Sequence, residues 1–359
     1  MRQDDRVFMP FSPAIPINVA VVALGDTPRL RSALDALVAH RSVHDFTVTC
    51  VINPAGATDQ WIEGLAQGIH VLRPAANLGW SGGLHAARRE TGAEFLAWVQ
   101  EDMVVNDGWL DALVDAATTH PRGGMFGAVG VDGQGRVVPI NAGDAVPFDD
   151  VGRWNQSDRT ATDLADVPAE YDWVTSKGSL TRLAAWDELG GLDPRYFPLN
   201  HADKDFCTHL RAHGWTNILV PRATFEHEGS ASSPGFFREF LAEWQEPRFN
   251  ARWASVVEQL ATAGGPVPHP CAEWRDAQGG PVELAIATES SRLLVPFARA
   301  AAHRNGDAEL AAVRSALHRA LAERDAARYE AEQLRASRRG LRRTGRTGRT
   351  EAEPPTAST

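Results

Sequence analysis

The chain has 359 residues, 43% of them hydrophobic, and a formal net charge of −10. Its length and apolar content suffice for one large α/β core with a smaller appendage. Seven arginines and no acids fall between Arg335 and Arg349, so the remainder sums to −10 − 7 = −17, an acidic body that excludes a nucleic-acid-binding surface. The three cysteines, Cys50, Cys207 and Cys271, are far apart and lack CxxC spacing, which excludes a disulfide framework and a structural zinc site. No apolar run reaches the length of a membrane span, and residues 1–6 carry acids rather than a secretory signal, so a soluble cytoplasmic protein is expected.

Residues 1–16 show no period and read as an N-terminal arm. Ile17 to Leu24 is a buried strand, after which Thr27 caps a helix with Pro28 at its first position. Leu30, Ala33, Leu34, Leu37 and Val38 give that helix its buried stripe. Phe46 to Ile52 is a second strand, and Ile69 to Leu72 a third after turn chemistry at Asn53 to Asp59. Strand, helix, strand, loop, strand is the pattern of a mostly parallel sheet wrapped by helices. Asn77-Leu-Gly-Trp-Ser-Gly-Gly83 then leads into a helix, with glycines that let backbone approach a ligand.

Phe95 to Val105 reads as one buried strand interrupted by two acids, Glu101 and Asp102. Acids at the carboxyl end of such a strand lie where open α/β sheets bind ligands, and a buried carboxylate needs a cation or hydrogen-bond donors. Asp102 is therefore read either as a metal ligand or as a cap for the next helix, whose apolar face is Leu110, Leu113, Val114 and Ala117. Residues 121–172 are rich in Gly, Asp and Pro and read as a variable surface region. Trp173 to Leu180 is a strand running into glycine, and a short helix spans Ala184 to Leu189. Asp203 and Asp205 open a helix reaching His213, with Phe206, Cys207 and Leu210 inward. They lie two apart, so at most one points into a site; Asp203 by itself is either a helix-capping acid or a base. A last strand leads through Ala223-Thr-Phe-Glu-His227.

Five blocks in this order carry a resemblance: the first strand and helix, Asn77-Leu-Gly-Trp-Ser-Gly-Gly, Gln100-Glu-Asp102, Gly190-Gly-Leu-Asp-Pro with His201-Ala-Asp-Lys-Asp-Phe-Cys207, and Pro221 to His227. Over roughly residues 17–255 the chain resembles the inverting nucleotide-sugar glycosyltransferases of family 2 type, in particular rhamnosyltransferase-like bacterial members. The resemblance implies a GT-A (Rossmann-like) α/β fold, a mostly parallel sheet flanked by helices, with a C-terminal helical extension. It implies transfer of a sugar from a nucleoside-diphosphate sugar to a hydroxyl of a glycan, lipid-linked or small-molecule acceptor. Asp203 matches the catalytic base, Asp102 and His227 the ligands of Mn²⁺ or Mg²⁺. Asn53, Asn77, Gly79, Glu101 and Asp102 match the donor side, and Trp173, Gly178 and Asp205 the acceptor side. Ala202 and Gln100 stand where acids are usual. Ile52 replaces an acid that reads the nucleobase, leaving Asp59 or Asp26 to substitute. These departures keep a second reading open, a non-catalytic nucleotide-sugar or glycan-binding relative; a nucleotidyltransferase is a third.

The expected boundaries are a glycosyltransferase domain at 17–235, a closing helix at 236–262, a linker at 263–281, a helical extension at 282–334 and a basic disordered tail at 335–359. Leu310, Val313, Leu317, Ala320, Ala327 and Leu334 lie near heptad spacing, which leaves a homo-oligomeric coiled coil open beside a plain surface helix. The tail is read as a contact with anionic lipid at the cytoplasmic face, or as a solvated end.

Overall fold

The structure is a computed structural model, and it describes residues 16–25, 27–54, 68–138, 142–143, 167–227, 235–263 and 266–267. The chain divides into two units, residues 1–299 and 300–359, and every described residue lies in the first. The arm up to residue 15, the helical extension, the tail and most of the linker lie outside the described residues.

Strand β1 (Ile17–Leu24) is buried along almost its whole length because the sheet is covered on both faces. It pairs in parallel with β2 (Phe46–Asn53) and β4 (Phe95–Gln100), and β2 pairs in parallel with β3 (Ile69–Leu72). Beyond β4 the sheet is mixed. β10 (Ser179–Arg182) runs antiparallel to β4 and to β6 (Gly123–Val131), and β6 pairs in parallel with β11 (Thr216–His227). β11 is long enough to carry antiparallel β8 (Ala169–Tyr171) at its start and β5 (Met103–Val105) at its end. The order is β3-β2-β1-β4-β10-β6-β11-β5. Two short strands, β7 (Ala142–Gly143) and β9 (Trp173–Val174), form a separate pair.

Alternate residues of β1 feed two cores. Val19, Val21 and Ala23 face α1 (Pro28–Ala39) and α3 (Trp109–Thr119). Ala20 and Val22 face α2 (Gly79–Arg89), α4 (Leu183–Leu189), α5 (Ala202–Ala212) and α6 (Gly235–Ala263). The expected cap is formed: the Thr27 hydroxyl accepts the Leu30 N–H at 3.2 Å, with Pro28 opening the helix.

Two expectations are corrected. The run from Phe95 to Val105 is not one strand: it turns at Glu101–Asp102, and the chain leaves β1 and β10 to pair with β11 as β5. The region from residue 121 onward does not begin as surface loop. Gly123–Val131 is a fully buried strand within the sheet, and its glycines are packing requirements. A Cβ on Gly124 would come within 2.5 Å of Leu210, and one on Gly127 within 2.5 Å of Val174. Removing side chains there lets α5 and β9 settle on the strand.

Helix α6 is tied to the rest by buried charge. Asp193 is 0% exposed and takes a bidentate contact from Arg195 (2.7–3.0 Å) and another from Arg252 at 3.3 Å. Asp205, 1% exposed, takes Arg252 at 2.9 and 3.1 Å, the Trp253 indole at 2.7 Å and the Tyr196 hydroxyl at 3.0 Å. Arg248 donates to the Arg195 carbonyl and to Gln245, and Gln245 donates to the Phe197 carbonyl at 3.0 Å. Burial alone would raise the Asp193 carboxyl, but Arg195, with Arg252 and Arg248 behind it, brings it down to about 2. Removing one member leaves an opposite charge buried without its partner, which costs about 3–5 kcal/mol. Arg252→Leu is therefore expected to lose about that much stability in urea unfolding, far more than a surface arginine replaced the same way.

Candidate active site

The change of partner after β4 builds the first part of the site. β5 pairs antiparallel with β11 in the register Met103↔His227, so the residue before Met103 is brought beside His227. His227 Nε2 lies 3.1 Å from Asp102 Oδ1, and the two side chains are 10% and 7% exposed. Burial would raise the Asp102 carboxyl, but the hydrogen bond and charge of His227, joined by the Lys177 ammonium, hold it below the usual range.

Glu101 points the other way, toward β1. Its Oε2 accepts the Leu24 N–H at 2.6 Å, and its second oxygen takes no hydrogen bond from the described residues. The residue is 6% exposed, and burial pushes its carboxyl up to about 7 against the pull of that N–H. Adjacent acids thus serve two sides of β4: Asp102 faces β11 and Glu101 faces the carboxyl end of β1.

The Asp102–His227 pair suits a divalent cation. Two neighbouring ligand atoms on an octahedral ion with bonds of about 2.1 Å are separated by roughly 3.0 Å, close to the 3.1 Å observed. Among the described residues no group of three or more His, Cys, Asp or Glu side chains converges on one point. Two protein ligands with the rest supplied by phosphate and water is the usual pattern for Mg²⁺, and the imidazole suits Mn²⁺ as well.

Asp203 is the second residue of α5. The chain enters this helix through two left-handed residues, Asn200 (φ 78°) and His201 (φ 59°), and no side chain caps it. Two consecutive non-glycine residues in that region are uncommon and strained. The strained entry brings Asp203 against the turn between β9 and β10. Its Oδ2 accepts both the N–H and the Oγ–H of Ser176, each at 3.2 Å, and its Oδ1 accepts the Lys204 N–H at 3.0 Å. A carboxylate offers about four lone-pair positions, so these bonds fix its orientation and leave one on Oδ1.

The turn itself is pinned. Gly178 lies in the left-handed region (φ 60°), and a Cβ there would come within 2.8 Å of Phe225 and 3.2 Å of Met103. Its carbonyl accepts the Trp109 indole N–H at 2.6 Å. One four-residue turn therefore touches Asp203 through Ser176, acts on Asp102 through the charge of Lys177, and rests on β5 and β11 through Gly178. Sequence reading passed over Ser176 and Lys177, which lay inside a stretch taken for strand.

Other expected site residues are placed differently. Asp205 is corrected: it is buried beneath α5 with its oxygens committed to Arg252, Trp253 and Tyr196, and it does not face an acceptor. The Trp173 ring is 3% exposed, with the Lys204 ammonium 5.0 Å from its centre, a core position rather than an acceptor platform. Asn53 accepts the Leu78 N–H at 2.8 Å, and Asn77 the Gly79 N–H at 2.8 Å, so both amides shape the glycine loop. Gly79 (φ 67°) is demanded by protein: a Cβ would lie 2.7 Å from the Pro198 carbonyl oxygen, which accepts the Trp80 N–H. Ile52 packs into the core shared with α1. Asp26 and Asp59 lie outside the described residues.

With this geometry in hand, residues 19–163 match the family model for glycosyl transferase family 2. Over that stretch the chain is similar to family 2 glycosyltransferases. A curated relative, an N-acetylglucosaminyl-diphospho-decaprenol L-rhamnosyltransferase of Mycobacterium tuberculosis, is 28% identical over 212 residues, covering 52% of this chain and 68% of the relative. Among solved structures, a crystal structure of GalNAc-T7 with UDP, GalNAc and Mn²⁺ aligns at 10% identity and a TM-score of 0.49, covering 72% of this chain and 56% of that one. The Staphylococcus aureus TarS fragment 1-349 aligns at 14% identity and a TM-score of 0.46, covering 66% of this chain and 64% of that one. The glycosyltransferase family model ends at residue 163, before Ser176, Asp203 and His227.

The helix entry gives this domain an acid-sensitive point. Burial, with Lys204 nearby, pushes the His201 imidazole down to about 4 from an ordinary 6.5, against the pull of Asp203. As pH falls below 6.5 the unfolded chain binds this proton first, so stability is full above that value and declines until about pH 4. The difference amounts to about 3 kcal/mol. His201→Asn keeps a side chain that accepts the left-handed conformation but does not titrate. Its stability, followed by urea unfolding at a series of pH values, is expected to fall less between pH 6.5 and 4 than that of the wild type.

Proposed function

We propose that this protein is a divalent-metal-dependent, inverting glycosyltransferase. It moves a sugar from a nucleoside-diphosphate donor to a hydroxyl of a glycan, lipid-linked or small-molecule acceptor by single displacement. The observation that carries this reading is the Thr175–Gly178 turn, which holds a carboxylate suited to be a base and rests against the strands bearing an acid–imidazole pair suited to a metal. The family 2 match over residues 19–163 and the rhamnosyltransferase similarity support the reaction class. Among the described residues no helix is long and apolar enough to cross a membrane.

Asp102 and His227 would hold Mn²⁺ or Mg²⁺, which when bound stabilises the charge gathering on a departing diphosphate. The ammonium of Lys177 adds positive charge beside Asp102. Glu101, one oxygen on Leu24 and the other uncommitted among the described residues, supplies an acceptor for a donor N–H or O–H at the end of β1. Asp203 is the base: the lone pair left on Oδ1 takes the acceptor proton as the hydroxyl oxygen attacks the sugar carbon from the side opposite the diphosphate. With a single displacement and one base, the configuration at that carbon inverts.

Release of nucleoside diphosphate from UDP-, dTDP- and GDP-sugars with Mn²⁺ or Mg²⁺ tests this, with slow donor hydrolysis standing in for transfer. Metal-dependent release from one donor is expected, abolished by chelation and by Asp102→Ala. Asp203→Asn is expected to lower kcat by about 10²–10⁴-fold while nucleotide affinity holds. Nucleotide binding without turnover in the presence of a range of acceptors would instead favour the non-catalytic reading, and pyrophosphate as product a nucleotidyltransferase.

A further inference from the structure

We infer that Ser176 is a positioning residue for the base, fixing which oxygen of Asp203 meets the acceptor. The inference rests on the reading of Asp203 as base. Among the described residues Asp203 has three hydrogen-bond donors, and Ser176 supplies two of them, both to Oδ2. The third, the Lys204 N–H, comes from the residue's own helix and binds Oδ1 at 3.0 Å. With no side chain capping α5 and two left-handed residues leading into it, the bonds from outside the helix that orient this carboxylate come, among the described residues, from the turn.

The turn is built to hold Ser176 still. Ser176 is 7% exposed. On one side Thr175 Oγ1 accepts the Lys177 N–H at 3.3 Å, and on the other the Gly178 carbonyl is held by Trp109 at 2.6 Å. Ser179 Oγ donates to the Thr175 carbonyl and closes the turn from within. Gly178 sits against Met103 and Phe225, the first residue of β5 and a residue of β11. These strands bear the Asp102–His227 pair, so Ser176 references the base to the same framework that places the metal ligands. A serine that only filled space would not need both its donors on one carboxylate oxygen.

Losing the hydroxyl removes one of these bonds. The backbone N–H remains, so the carboxylate stays near the turn but gains freedom to rotate, which moves Oδ1 off the line of attack.

The test is donor hydrolysis or transfer by wild type, Ser176→Ala, Ser176→Thr and Asp203→Asn, with kcat and KM measured separately and folding checked by thermal unfolding. Ser176→Ala is expected to lower kcat about tenfold with the donor KM unchanged. Ser176→Thr, which keeps the hydroxyl, is expected to restore kcat. A folded Ser176→Ala with the kcat of the wild type overturns the inference, as does a folded Ser176→Thr that fails to recover. If Asp203→Asn retains full turnover, the base reading itself falls and takes this inference with it. If Asp203→Asn is inactive while Ser176→Ala behaves as wild type, the base stands and only the role of Ser176 is lost.

Discussion

The interaction on which the rest of this structure depends is the buried network joining Asp193 and Asp205 to Arg195 and Arg252, with Arg248 beside them. Three cations and two anions share a volume that excludes water, and every one is held by more than one contact. Such a network is weak evidence for extra stability, since apolar replacements of equal volume often do as well. Its value here is geometric. Guanidinium forks are planar and directional, so they fix the helices and the intervening loop more narrowly than leucines of the same size. Asp205 lies two residues after Asp203 on the same helix, and its bonds to Arg252 and Trp253 set the depth and rotation of that helix. The strained approach through Asn200 and His201 persists because this network and the Gln245–Phe197 link hold its two ends.

A second constraint is the change of strand partner at Glu101–Asp102. A strand that ran straight on would keep both acids in the sheet's interior, where neither has a cation. Turning out of the sheet separates them, and each finds a different neighbour: the Leu24 N–H for Glu101, the His227 ring for Asp102. Each acid gains a partner because the backbone bends, and the bend lies at the carboxyl end of the parallel half, where α/β sheets leave room for a ligand.

Much of this was legible in the sequence because it is local. Thr27-Pro28 announces its helix and β1 is a continuous apolar run, while Asp102, Asp203 and His227 stand out through the family resemblance of the ordered blocks that hold them. What could not be read depends on partners far along the chain. Gly123–Val131 looks like loop because its glycines carry no period; Leu210 and Val174, placed by other elements, explain Gly124 and Gly127. Asp205 resembles a site acid until Arg252, 47 residues later, is seen to occupy it. Gly79 read as a place for ligand backbone contact, whereas the Pro198 carbonyl already fills the approach. Ser176 had no signature, since a serine gains meaning only from the carboxylate it faces.

The placement of the arginines in α6 also bears on how the chain matures. Strands β1 to β4 are complete in sequence by residue 100 and pair in parallel with one another, while β4 takes the later β10 on its other edge. Asp193 and Asp205 receive their outside cation only from residue 252. On a ribosome, where domains assemble from the amino end as the polypeptide emerges, the parallel half of the sheet is therefore free to form early. The half bearing Asp203 must wait for a helix synthesised long after it, so the two halves of the candidate site are born at different times.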